Sequence, residues 1–144
     1  MSESPAAPHA GLDPVYTARC LCGSVRLNLY AEPGPIDLCH CTMCPRAQGT
    51  AFVCNAPIAA ESVSVVAGAD HLRAYESSPG HDRVFCSNCG SPVFSRTTAA
   101  PGVLRLRVGL VDGELRARPF AHWCVGSKAN WWHISDDLPQ HETG

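Results

Sequence analysis

Cys39-His40-Cys41-Thr42-Met43-Cys44 places three thiols within six residues, at i, i+2 and i+5. No disulfide framework needs such crowding, because neighbouring cysteines cannot bridge one another without strain. Thiolates converging from one tight loop can instead share a single soft divalent ion. A closed tetrahedral zinc site takes four such donors, and this stretch supplies three. Whether that shortfall is chemistry or coincidence depends on the remaining cysteines.

Outward from the cluster stand two further pairs, Cys20-Leu21-Cys22-Gly23 and Cys86-Ser87-Asn88-Cys89-Gly90. In extended backbone, residues i and i+2 point to one face, so Cys20 and Cys22 can grip one ion together. The Cys-x-x-Cys pair does the same through a knuckle, where the following glycine lets the backbone turn its amides toward the sulfurs. Four thiolates around one Zn²⁺ leave no open position, so this site would stabilise and not catalyse. It would tie residue 20 to residue 89. The competing reading is free thiols or a redox pair, but redox Cys-x-x-Cys motifs open helices in α/β surroundings, and no such context exists here.

Nine cysteines, an odd count, occur in 144 residues with no signal-like start. Reduced thiols that bind metal, in a cytoplasmic protein, are therefore expected in preference to disulfides. Hydrophobic residues make up 45% and charged residues 17%, the balance of a soluble globular domain. No apolar run approaches a membrane span. A net charge of −2 speaks against indiscriminate binding to nucleic acid or acidic lipid. Residues 1–14, rich in Ser, Ala and Pro, read as a flexible tail, and residues 15–140 as one zinc-binding domain.

The chain between the cysteines is mostly β. Val25–Tyr30 alternates apolar and polar residues as a half-buried strand does. Ile36–Cys39, Ala51–Cys54, Ser62–Val66, His71–Glu76, Asp82–Phe85 and Pro92–Ser95 read as further short strands. Pro45 suits the first position of a helical turn to Gln48, ended by Gly49. Val103–Val111 and Glu114–Phe120, around Asp112-Gly113, read as a hairpin. That register sets Arg107 opposite Arg118, either as an anion-docking face or as a solvated face with the arginines splayed apart. A turn is expected at Ser135-Asp136-Asp137, and Trp123, Trp131 and Trp132 as core or wall residues.

Taken together, Cys20-x-Cys22-Gly23-x-Val25, Cys39-His40-Cys41-x-x-Cys44-x-Arg46 and Phe85-Cys86-x-x-Cys89-Gly90-Ser91-Pro92-x-Phe94 resemble the glutathione-dependent formaldehyde-activating enzyme family. That grouping also holds centromere protein V. The ending, with Ser127-Lys128-Ala129-x-Trp131 and Asp137-Leu138-Pro139-Gln140, resembles the family too. The resemblance implies a mainly β, tent-like fold of short antiparallel strands organised around two zinc ions. It implies a structural zinc on Cys20, Cys22, Cys86 and Cys89, and a second, catalytic zinc on Cys39, Cys41 and Cys44 with an exchangeable fourth position. The implied activity is that of a carbon–sulfur lyase joining glutathione and formaldehyde as S-hydroxymethylglutathione.

The chemistry of the residues agrees. Three thiolates on Zn²⁺ make a weak Lewis acid, but such an ion binds a fourth thiol as thiolate at neutral pH. Cys54, Cys124, His40 and His122 are the rivals for that position. His40, lying between two ligands, should point away and bond a neighbour, and Cys54 should behave as a small buried hydrophobe. Arg46 follows the metal loop and could hold a substrate carboxylate. Partners would be a low-molecular-weight thiol such as glutathione and a small aldehyde. The competing classes are a non-catalytic zinc-binding interaction module and a zinc enzyme acting on another small substrate.

Overall fold

A computed structural model describes residues 9–144 of the chain. Ten strands run in order: β1 (Tyr16–Arg19), β2 (Arg26–Leu29), β3 (Ile36–Cys39), β4 (Val53–Ala59), β5 (Val63–Ala67), β6 (Leu72–Ser78), β7 (His81–Cys86), β8 (Pro92–Thr97), β9 (Val103–Arg107) and β10 (Pro119–Trp123). The one α-helix among the described residues, α1 (Cys44–Gln48), follows the metal loop. Pro45 sits in its first turn. Gly49 ends it at φ 71°, a left-handed conformation that glycine adopts without a Cβ clash. This matches the short Pro-to-Gly turn expected from the sequence. Among the described residues, no helix is long and apolar enough to cross a membrane.

The strands form two sheets, β1-β2-β5 and β10-β3-β4-β9-β8-β7-β6, with every neighbouring pair antiparallel except β10 against β3. The alternation read in Val25–Tyr30 decides which face of β2 is buried: Leu27 and Leu29 are fully enclosed while Arg26 faces solvent. They join Val84, Val93, Phe94 and Leu106 of the larger sheet in one core cluster, which also contains Cys20 and Cys86. A second, smaller cluster joins Ile36 and Leu38 of β3, the metal loop's entry strand, to Ala56 of β4.

The expected hairpin at Asp112-Gly113 does not form. β9 ends at Arg107, a 3₁₀ turn occupies Val108–Leu110, and β10 pairs in parallel with β3, where Trp123 is the register partner of Cys39. The turn signal serves another contact. The Asp112 backbone N–H donates to Thr17 O at 2.9 Å, and its carboxylate accepts from the Thr17 hydroxyl at 3.1 Å. Held at the edge of β1, the segment cannot fold back on β9. Arg107 and Arg118 consequently never face each other. Arg107 is buried between β4 and β8, whereas exposed Arg118 donates to the carbonyls of Leu115 and Ala117.

Of the expected tail, residues 1–8 lie outside the described residues. His9 stacks on Tyr30 at 3.9 Å and donates through Nε2 to the Glu61 carbonyl at 2.6 Å.

Candidate metal centre

Cys20 and Cys22 occupy the turn from β1 to β2, while Cys86 ends β7 and Cys89 lies in the turn to β8. Gly23 and Gly90, at φ 78° and 81°, close both knuckles by donating N–H to the carbonyls of Cys20 (3.1 Å) and Cys86 (2.7 Å). The four sulfurs all lie within 4.8 Å of one another. Metal–sulfur bonds of about 2.3 Å in a tetrahedron require sulfur–sulfur edges of about 3.8 Å. Cys20–Cys22 at 3.6 Å and Cys22–Cys86 at 3.9 Å match that figure.

Neutral donors surround these sulfurs. The Ser24 hydroxyl, 3.2 Å away, and then the Asn88 amide, also at 3.2 Å, bring the Cys22 thiol down to about 7. The Ser91 hydroxyl and backbone bring Cys89 down to about 5, while burial pushes Cys86 up to about 11. Cys89 thus favours the thiolate at neutral pH, Cys22 is evenly poised, and Cys86 favours the thiol unless a cation lies beside it. Such a donor set fits a bound metal ion.

The second cluster gathers Cys39 from the end of β3, Cys41 from the loop and Cys44 from the start of α1, again with sulfurs within 4.8 Å. Cys41 Sγ and Cys44 Sγ are 3.1 Å apart, and the Cys44 backbone N–H donates to Cys41 Sγ at 3.3 Å. The contact with Cys39, reinforced by burial, holds the Cys44 thiol far above its ordinary value. Three sulfurs converging this closely are a donor set that fits one metal ion. The Arg83 guanidinium stands 3.7 Å from Cys44 Sγ.

Three of the four rivals for the next position, His40, His122 and Cys54, are committed elsewhere. His40 is fully buried and, as expected, turned to a neighbour: its Nε2 is 2.8 Å from Nδ1 of His122, whose Nε2 is 2.9 Å from Asp136 Oδ2. Burial, then the adjacent His122, keeps His40 below the ordinary imidazole range. Cys54 is half-buried opposite Leu38, packed against the small apolar cluster, with its thiol pushed up by burial. Cys124 is different. It follows β10 at φ 59°, the described residues' one non-glycine in the left-handed region, and with Cys39 it lines a cavity of about 310 Å³. Asp37, Asn55, Arg105 and Trp123 complete most of that lining, and Trp123 Nε1 donates to Asp37 at 2.7 Å.

Arg46 is exposed on α1 and borders, with Cys41 and Trp131, a shallow hollow of about 400 Å³. Trp131 is an exposed wall residue, and Trp132 meets Phe52 edge-on at 5.5 Å. The expected bend at Asp136 is present, with Asp136 Oδ1 accepting from the Leu138 N–H at 3.0 Å. Sequence reading missed Asp136 as the anchor of the histidine pair, Arg83 beside Cys44, and the burial of Arg107. The turn read at Ser135-Asp136-Asp137 places Asp136 at a bend but does not mark it as a histidine partner. No local signal marks the other two.

A largely antiparallel β scaffold carrying one four-thiol and one three-thiol cluster defines a class: a cysteine-rich metal-binding β domain. Residues 15–127 match the family described as glutathione-dependent formaldehyde-activating enzyme, and the chain belongs to that family. It is 25% identical over 126 residues to an uncharacterized lyase of Schizosaccharomyces pombe, a match covering 85% of this chain and 88% of that protein. It is 34% identical over 80 residues to a Fusarium vanettenii protein named "Putative glutathione-dependent formaldehyde-activating enzyme", covering 54% of this chain and 43% of that one. In fold it is similar to a Rhodobacter sphaeroides protein of known crystal structure, with a TM-score of 0.58 at 22% identity over 72% of this chain and 98% of that one.

Proposed function

We propose that the protein is a zinc-dependent carbon–sulfur lyase, forming or breaking the adduct between a small aldehyde and a low-molecular-weight thiol such as glutathione. The observation that carries this reading is the three-thiol cluster with open space beside it: Cys39 borders one cavity and Cys41 another. Cys20, Cys22, Cys86 and Cys89 would hold a structural zinc, and Cys39, Cys41 and Cys44 the catalytic one. Zinc on three thiolates would take up an incoming thiol as thiolate at neutral pH and keep it beside an electrophile. In the reaction the thiol adds across the carbonyl. A carbon–sulfur bond forms, the C=O π bond opens, and the thiol proton ends on oxygen.

The chain's own residues supply position. Arg46, just past the metal loop, would hold a substrate carboxylate, and Trp131 would wall the hollow they share. His40 and His122 are occupied with each other and leave the fourth position to substrate or to Cys124. The working unit is one domain, residues 15–140, preceded by a tail at residues 1–14. The proposed compartment is the reducing cytoplasm, where nine free cysteines persist. The family membership and the printed names of the relatives support the same chemistry.

Exchange-sensitive NMR of formaldehyde with glutathione tests the reading. Interconversion should accelerate in proportion to added protein, and a rate equal to the spontaneous one would overturn it. A purely structural module would hold two equally inert zinc ions; catalysis predicts one ion labile to a competing thiol.

A further inference from the structure

Arg107 is 4% exposed and carries a charge that no carboxylate offsets. The four ion pairs among the described residues use Arg19, Arg96, Arg105 and His122, and neither Arg107 nor Arg83 takes part in any of them. Buried charges are normally paired, since desolvation costs several kcal/mol per ion. The groups bonded to Arg107 are all neutral: Gln48 Oε1 accepts from Nε at 3.1 Å, while Asn55 Oδ1, Ser95 Oγ and Arg105 O accept from Nη1. Burial, then repulsion from Arg83, lowers Arg107 to about 10, so it stays cationic at neutral pH.

Arg83 repeats the pattern from β7. Its Nη2 lies 3.7 Å from Cys44 Sγ, and its Nε is buried with no partner. Both guanidiniums line a cavity of about 310 Å³ beside α1, with Gln48 and Tyr75 as further polar groups and Phe85 and Pro92 among its apolar walls. The size suits a small polar ligand with a short carbon body.

We infer that this cavity is a carboxylate-binding subsite beside the three-cysteine cluster, with Arg83 and Arg107 as its guanidinium donors. The charge balance supports it. Before any fourth ligand arrives, three thiolates, a divalent ion and two guanidiniums sum to +1, so the assembly attracts an anion. Planar forks suit a planar carboxylate, and the apolar walls suit its carbon chain. Arg83 touches the cluster, so an acid held there lies beside the thiols. Naming the acid rests on the proposed function: it is the carboxylate of the thiol peptide, or that of an aldehyde acid taken as the carbonyl partner.

The test titrates the zinc-loaded full-length protein by calorimetry with S-methylglutathione, whose thioether cannot enter as a thiolate, and separately with glyoxylate. At least one probe should saturate, and the one that does identifies the source of the carboxylate. Arg83→Gln, at a half-buried position, should weaken that probe about tenfold with circular dichroism unchanged. If Arg83→Gln does not fold, Arg83→Lys keeps the charge, loses the fork and should weaken binding several-fold. Failure of both probes to saturate, or unchanged affinity in the folded variant, overturns the subsite. Binding that depends on Arg83 without any acceleration of adduct exchange overturns the proposed reaction and leaves the subsite standing. Acceleration with neither probe bound does the reverse.

Discussion

His40 Nε2 lies 2.8 Å from His122 Nδ1, and both rings are buried. The partner of His122 Nε2 is the Asp136 carboxylate, which can only accept. In the neutral His122 tautomer that donates Nε2–H to Asp136, Nδ1 accepts and His40 Nε2 donates. The relay ties the metal loop through β10 to the C-terminal bend. His122→Leu would leave the His40 donor buried and bare, at a cost of about 1–3 kcal/mol. The expected result is a lower melting temperature at an unchanged two metal ions per chain. Loss of an ion in that variant would make His122 a ligand instead.

Asp136 sets a pH dependence on the same relay. The hydrogen bond from His122, then the Leu138 N–H, holds its carboxyl below the usual carboxylate range. A folded value below the unfolded one means stabilisation that is fully present above the unfolded pKa of about 3.9 and lost as pH falls through the folded value. Asp136→Asn should therefore melt below wild type at pH 7, and the gap should close below about pH 4. The difference between the two melts is the readout, because loss of thiolate-bound metal in acid is common to both. A gap that persists into acid would assign the stabilisation to packing.

Arg107 and Arg118, paired by the expected hairpin, should now behave as opposites. Arg107→Ala strips Asn55 and Gln48 of their donor inside the sheet and should cost about 1–3 kcal/mol. Arg118→Ala removes an exposed side chain bonded to its own segment and should stay within about 0.5 kcal/mol of wild type. Urea midpoints separate the two. Equal shifts would return Arg107 to a solvated face.

What could be read in advance was local. Cys39, Cys41 and Cys44 meet because their spacing brings them together, and Pro45 with Gly49 bounds α1 by backbone chemistry alone. The burial of Leu27 and Leu29 follows from a two-residue period. Partnering between distant segments leaves no such mark. β10 lies beside β3 across some eighty residues, and Asp112 reads equally well as a hairpin turn and as an anchor on Thr17. Alternation places Arg107 on the polar side of β9, but Asn55 of β4, Ser95 of β8 and Gln48 of α1 make that side an interior. Arg83 meets Cys44 by the same kind of long-range placement, 39 positions apart in sequence.

The two cysteine clusters should differ in what their loss does to the fold. Cys86 is wholly enclosed within the main core cluster with Cys20, Val84 and Phe94, so its metal would fasten the first strand turn to the middle of the chain. Binding energy at such a site is folding energy. Cys41, half-buried on the loop between β3 and α1, joins residues already adjacent in sequence. Cys86→Ser should therefore give a chain that is unfolded or melts far below wild type. Cys41→Ser should keep its circular dichroism and lose one of two metal ions. Thermal melts read beside metal content check both. A folded Cys86→Ser and an unfolded Cys41→Ser would exchange the roles of the two sites.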